Sequence, residues 1–336
     1  MSRNSKTQLI EVILPEGRGD DIRELLYEHP LENYWRDTLN ENQTRIRILL
    51  QISEVELVLD ILDGYLKGLP DARAILLPVE AVVPRLESTE SEKVSDEDEE
   101  TVKRPDRISR HELYSDIVSG CTLSPTYLAM IFLSAVIAAI GLVRGDMAII
   151  IGAMVLAPLL TPNVALALAN TLGDSELAAT SIKTATAGLT LAVVIGAAIG
   201  YVFPPDPAVP AIAARTQVHW SDLLLALASG SAGVLALTSA GHLSLIGVMV
   251  AVALMPPLVT AGLMFGSGET VLGFGALQLA LANIICVNLA GIVTFLLQGI
   301  RPATWWESSK AKKAVRKSLV IWISLLLLLA LLLISD

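Results

Sequence analysis

Apolar positions along this chain follow two rhythms. Over the first 84 residues they come in short bursts of strand or helix period; beyond residue 125 they come in blocks near the length of a bilayer crossing. Residues 9–14, Leu-Ile-Glu-Val-Ile-Leu, read as a strand. The Gly17-Arg18-Gly19-Asp20-Asp21 turn then opens an amphipathic helix with Ile22, Leu25 and Leu26 on its apolar side. Residues 34–39 predict a weaker strand and 45–52 a stronger one. Ser53 and Glu56 have capping-box spacing ahead of Val55, Leu59, Leu62 and Leu66 at helical period. A last strand over 74–79 is closed by Pro84. The order β-α-β-β-α-β predicts a ferredoxin-like α+β domain over 1–84. That fold serves ligand sensors, metal-binding domains and dimerisation modules, so it names no function by itself, although it makes a homo-oligomer one expectation.

Residues 85–107 break the pattern with an acidic Ser/Glu/Asp-rich stretch, expected to be a disordered linker. Within 108–125 an amphipathic helix follows, expected to lie on the membrane surface with Leu113, Ile117 and Val118 facing it. Its Ser109 and Glu112 again have capping-box spacing. Seven apolar blocks come next, at 126–144, 147–170, 178–203, 222–240, 244–265, 271–298 and 318–334, each measured against roughly 20 residues per crossing. The first six make a membrane domain over 126–300; residues 301–336 hold a basic interfacial segment and the final span. Between the third and fourth blocks, Pro204, Pro205, Pro207 and Pro210 predict an ordered loop.

Composition sharpens this division. The chain has 336 residues, 53% of them hydrophobic, and a net charge of −10, with a mean hydropathy of +0.60. Roughly 26 acidic and 15 basic residues precede Gly120, against about eight and nine after it. The negative charge therefore belongs to the polar third and argues against nucleic-acid binding, which wants a basic face. Cys121 and Cys286 make no disulfide framework, and the four histidines have no metal spacing. The first apolar run is too short for a signal peptide. The Lys-rich stretch at 309–317, with Trp305 and Trp306 just before it, reads as a cytoplasmic interfacial segment. Six crossings separate it from the N-terminal domain. The expected topology is thus a multi-pass protein of the cytoplasmic membrane, N-terminal domain in the cytoplasm, C-terminus outside.

One motif occurs twice in the apolar part. Residues 151–162 read Ile-Gly-Ala-Met-Val-Leu-Ala-Pro-Leu-Leu-Thr-Pro, and 246–260 read Ile-Gly-Val-Met-Val-Ala-Val-Ala-Leu-Met-Pro-Pro-Leu-Val-Thr. Aligning Gly152 with Gly247 and Met154 with Met249 gives an offset of about 95 residues. A repeat unit of three spans must run inverted in its second copy, so the expected architecture is a 3+3 inverted repeat plus one span. Pro158 and Pro256 fall roughly 16 and 18 Å into their blocks, near mid-membrane. Proline has no N–H, so Pro158 is expected to free the carbonyl of Met154 and Pro162 that of Pro158. Pro256 and Pro257 likewise free those of Val252 and Ala253. Thr161, Asn163 and Thr260 lie beside the breaks, and Asn283 and Asn288 lie on the sixth block. Polar groups at that depth predict a site for a small polar solute or a cation. Gly196 with Gly200 and Gly262 with Gly266 have the small-xxx-small spacing of close helix contacts.

Residues 107–114 (Arg-Ile-Ser-Arg-His-Glu-Leu-Tyr), 134–141, Ile151-Gly152-Ala153-Met154 with Ala157-Pro158-Leu159, and Ala253-Leu254-Met255-Pro256-Pro257 together resemble a prokaryotic membrane family. It is catalogued as an uncharacterised hydrophobic domain, and some members carry an N-terminal α+β domain. The resemblance covers about 107 to 300 and implies a membrane architecture, with no substrate or catalytic residue to carry over. Thr161-Pro162 departs from the Gly-Pro expected after the first motif. The readings compatible with all this are a transporter or facilitator of a small polar solute or ion, an ion channel gated by the cytoplasmic domain, or a non-transporting sensor. An enzyme is not expected: Gly230-Ser231-Ala232-Gly233 and His242 lack a third orienting group. No cofactor is expected, and the lipid bilayer is the expected surrounding.

Overall fold

A computed structural model describes residues 7–27, 34–40, 42–79, 109–238, 254–300 and 305–335. The chain divides into two compact units, Met1–Leu113 and Tyr114–Asp336.

In the first unit the elements run β1 (Thr7–Pro15), α1 (Gly19–Leu25), β2 (Tyr34–Asn40), β3 (Gln43–Gln51), α2 (Ile52–Leu66) and β4 (Arg73–Pro78). The predicted element order is the one observed. The strands form one antiparallel sheet in the order β2-β3-β1-β4. Burial alternates residue by residue along β1 and β3. Side chains of a strand point alternately to its two faces, so one face is sealed while the other keeps Glu11, Arg45 and Arg47. Ile10 pairs with Ile48 and Val12 with Ile46, and α1 and α2 cover them with Ile22, Val55, Val58 and Leu62. Each such side chain contributes about 2 kcal/mol of burial. Helix α2 starts at Ile52 with Gln51 at its cap and no side-chain cap bond. Ser53 is therefore inside the helix, not at the cap its spacing predicts: β3 stays paired through Gln51 and leaves no residue for a turn.

Helix α3 (Arg110–Gly120) begins in this unit. Ser109 Oγ accepts from the Glu112 N–H, as its spacing predicts. The Asp60 carboxylate of α2 accepts from Arg110 Nη2 and lies 2.8 Å from His111 Nε2. Gln8 Nε2 donates to Glu112 at 2.8 Å. Burial pushes the Asp60 carboxyl up, but the His111 hydrogen bond and the Arg110 charge outweigh it and hold the group below its ordinary value. A carboxyl held low stabilises the fold at any pH above its unfolded value of about 3.9 and loses that stabilisation as pH falls through the folded value. Asp60→Asn at pH 7 is expected to speed amide exchange in the first turn of α3 by about tenfold, and acidification of the wild type to do the same. Unchanged exchange in the variant would show that the clasp holds nothing. Of the three residues expected to face a membrane, Leu113 and Ile117 are each 1% exposed and Val118 is half-buried.

The second unit holds α4 (Pro125–Arg144), α5 (Met147–Leu156), α6 (Leu160–Leu172), α7 (Ser175–Val202), α8 (Pro210–Ala213), α9 (Trp220–Thr238), α10 (Met255–Ser267), α11 (Thr270–Leu297) and α12 (Trp305–Ser335). Among the described residues five helices are long and apolar enough to cross a membrane, or six if the bent pair α5 and α6 is one span. Seven were expected. The predicted fifth span, 244–265, falls partly on 239–253, outside the described residues; α10 is its remainder. The loop expected over 204–221 contains the short α8. The basic stretch belongs to the same helix as the last span, because nothing from Trp305 to Ser335 is a glycine or proline that would end it.

Turns are built from a glycine followed by an acid. Gly145, at φ 67°, ends α4, and Asp146 caps α5 by accepting from the N–H groups of Ala148 and Ile149. Gly173, at φ 75°, and Asp174 do the same between α6 and α7. The predicted small-residue pairs meet: Gly196 lies against Gly262, Gly200 against Leu263 and Gly266 against Ala197, bringing the backbones of α7 and α10 into contact.

Candidate functional site

Within the first motif the run of apolar helix is interrupted. Helix α5 stops at Leu156, Ala157 is extended, and α6 starts at Leu160 on an axis bent by 48°. Pro158 causes this. The Ala157 N–H still reaches the Ala153 carbonyl at 3.2 Å, but Pro158 has no N–H to offer Met154. The Ala153 carbonyl takes a second bond from Ser134 Oγ of α4 at 2.6 Å. Ser134 was not among the site residues expected from the sequence, though a serine in the middle of so apolar a helix is a signal. Met154 is 8% exposed at the end of α5.

Pro162 behaves differently from Pro158. It sits in the first turn of α6, where an N–H has no helical partner in any case, so it frees no further carbonyl. Pro256 and Pro257 occupy the first turn of α10 in the same way, with Leu254 before them in helical conformation. Pro162, Pro256 and Pro257 thus all lie in first turns. Val252 and Ala253, whose carbonyls were expected to be freed, lie outside the described residues, as do Gly247 and Met249.

Two of the predicted polar residues come together at the break. Asn163 Nδ2 donates to the Leu159 carbonyl at 2.8 Å. Asn288 Nδ2, on α11, donates to Asn163 Oδ1 at 3.1 Å and to the Ile284 carbonyl at 3.0 Å. Asn163 is 2% exposed and Asn288 fully buried. Asn288 Oδ1 has no partner among the described residues. The result is a ladder from the broken backbone, through one amide, to a second amide with an acceptor to spare. Sequence reasoning named both asparagines but could not pair them, and missed Leu159 and Ile284, which take part only through their carbonyls.

The other expected residues are placed as follows. Thr161, half-buried, lies with its methyl group against Gly120. Thr260 is fully buried on α10, its hydroxyl without a partner among the described residues, and no bond joins it to the asparagine ladder. Asn283 is 7% exposed, five residues before Asn288 and thus off its face. Asn170 accepts from Ser318 Oγ at 2.8 Å, a helix-to-helix bond rather than part of the site. Among the described residues no carboxylate is bonded at the break: Asp146, Asp174 and Asp222 bond backbone N–H groups at helix starts. Among the described residues no three His, Cys, Asp or Glu could hold a metal ion. An open groove of about 720 Å³ runs along α7 from Lys183 to Val194 and includes none of these residues.

Residues 154–289 match the family described as "Domain of unknown function (DUF389)". The match begins at Met154 and ends one residue past Asn288, so it brackets the break and both amides. The chain is also 37% identical over 229 residues to the "Uncharacterized protein MJ0678" of Methanocaldococcus jannaschii, covering 68% of this chain and 72% of that one. No solved structure matches the chain. With this relative and this domain, the chain belongs to the family of that domain of unknown function.

Proposed function

We propose that this protein is a membrane transporter or facilitator of a small polar solute or ion, with its site at the α5/α6 break between two inverted halves. The asparagine ladder carries this reading. A buried pair of amides beside a broken helix, with an acceptor unfilled, is costly in an apolar interior unless something uses it.

What supports the repeat is that boundaries recur at the shift of about 95 residues read from the motifs. Helices α6 and α10 are both 13 residues long, and α7 and α11 both 28. Adding that shift to Leu160, Leu172, Ser175 and Val202 gives Met255, Ser267, Thr270 and Leu297. It carries the turn Gly173-Asp174 onto Gly268-Glu269. Contacts recur as well: Gly196 lies against Gly262, and the shifted pair is Gly291 against Ala167. So α10 of the second half lies on α7 of the first, and α6 of the first on α11 of the second. Such a reciprocal exchange is what a pseudo-two-fold axis produces, and three crossings per half make the repeat inverted. The N-terminal unit we read as a ferredoxin-like cytoplasmic module.

The test is flux. In proteoliposomes challenged with a panel of small amides, polyols and monovalent cations, at least one solute should cross faster than in protein-free vesicles. Pro158→Ala restores an N–H for Met154 and lets α5 run on, and should cut that rate at least tenfold in folded protein. Pro256→Ala, at a helix start, should cost much less. Equal rates in wild type and Pro158→Ala would sink the named site.

A further inference from the structure

We infer that the ligand of this site meets Asn288 with a hydrogen-bond donor or a cation, and that anions are not its ligands. The inference rests on the reading of the break as a solute site and adds the polarity of the solute.

The orientation of both amides is forced. A backbone carbonyl only accepts, so Leu159 obliges Asn163 to turn its NH₂ toward α6's own start and its oxygen toward α11. That oxygen in turn obliges Asn288 to present its NH₂. The Ile284 carbonyl makes the same demand on Asn288 from its own helix. An amide NH₂ has two hydrogens, and these two acceptors use both. What Asn288 keeps for a ligand is Oδ1, an acceptor with no hydrogen-bond partner among the described residues and no exposed surface. Flipping Asn288 would set its oxygen against two acceptors, and flipping both amides would set Asn163 Oδ1 against Leu159. The leftover group is therefore an oxygen in every consistent arrangement.

Packing does not require it. At the pseudo-equivalent contact between α10 and α7, the positions that correspond to Asn163 and Asn288 are Leu258 and Val193. There the backbones close on glycines with no side-chain amide between them. One of two matching interfaces thus carries polar side chains where the other carries apolar ones. The Met154 carbonyl, left without a helical N–H by Pro158, adds a second oxygen in the same segment, and no arginine, lysine or histidine is on α5 or α6 to meet a negative charge.

The test uses the full chain purified in detergent and follows Tm. The donor arm adds sodium, potassium or methylammonium chloride, or acetamide, with choline chloride holding ionic strength constant. The anion arm exchanges choline chloride for choline nitrate, formate or phosphate. Asn288→Thr is the partner variant: its hydroxyl can bond the carbonyl four residues back, as Thr294 and Thr238 already do, but it offers no amide oxygen. At least one donor should raise the wild-type Tm saturably, on the order of 5 °C, with most of that rise absent from Asn288→Thr, while the anion arm distinguishes neither protein. A rise with an anion that depends on Asn288 would overturn the polarity and leave the site standing. No Asn288-dependent shift with any solute would overturn both. The wild-type series alone decides the sign if the variant does not fold.

Discussion

Gly266→Leu and Gly200→Leu are each expected to abolish the folded membrane domain. A Cβ at Gly266 would fall on the carbonyl oxygen of Ala197, and one at Gly200 on that of Leu263. Both obstacles are backbone, which cannot rotate aside as a flexible side chain does. The contact joins α7 to α10 over two turns through Gly196, Gly200, Gly262 and Gly266, so relief requires the helices to separate along that length. A forced separation of this kind costs more than about 4 kcal/mol, a large part of the 5–15 kcal/mol that holds a typical domain together. Gly152→Leu is the contrasting variant. That glycine belongs to the repeated motif, yet a Cβ there meets nothing within 4 Å. After detergent extraction, the monodisperse peak on gel filtration should fall at least tenfold for Gly266→Leu and Gly200→Leu and stay near wild type for Gly152→Leu. Equal yields from all three would remove the close helix contact from this account.

Much of this was legible because it depends on neighbours in sequence. A short apolar run at 9–14 and early alternation in 45–52 marked β1 and β3, whose burial does alternate residue by residue, since burying one face of a sheet leaves a period of two. The four-residue glycine spacings marked α7 and α10 each for a close helix contact, because only residues on one helix face recur at that interval, and the structure shows that the two contacts are one. Pro158 announced the bend. The same rule misread Pro162: a missing N–H matters inside a helix and not in its first turn, and where a helix begins was not visible from composition. Ser53 was misplaced for a related reason, since β3 runs straight into α2.

The site itself was half legible. Asn163 and Asn288 stood out as amides at membrane depth, but they are 125 residues apart, and nothing local pairs them. Their meeting follows from how α6 lies on α11. Leu159 and Ile284 could not be found at all, because their contribution is a carbonyl that every residue has. Thr260 was named for its place beside a break, and among the described residues its hydroxyl has no partner.

Asn288→Cys is expected to react with a membrane-impermeant thiol reagent added from either side of the membrane, and this is the result on which the account most directly depends. Asn288 has no exposed surface, so reagent reaches it only if the α5/α6 break opens, first to one face and then to the other, as alternating access demands. The assay needs no knowledge of the solute. It is run in sealed proteoliposomes with Cys121 and Cys286 replaced by alanine, and with Ala192→Cys, equally buried on α7, as the control for general unfolding. The predicted result is slow modification at position 288 from both sides and none at 192. A position 288 that stays unmodified from both sides, or that reacts no faster than 192, would contradict a solute path through the break.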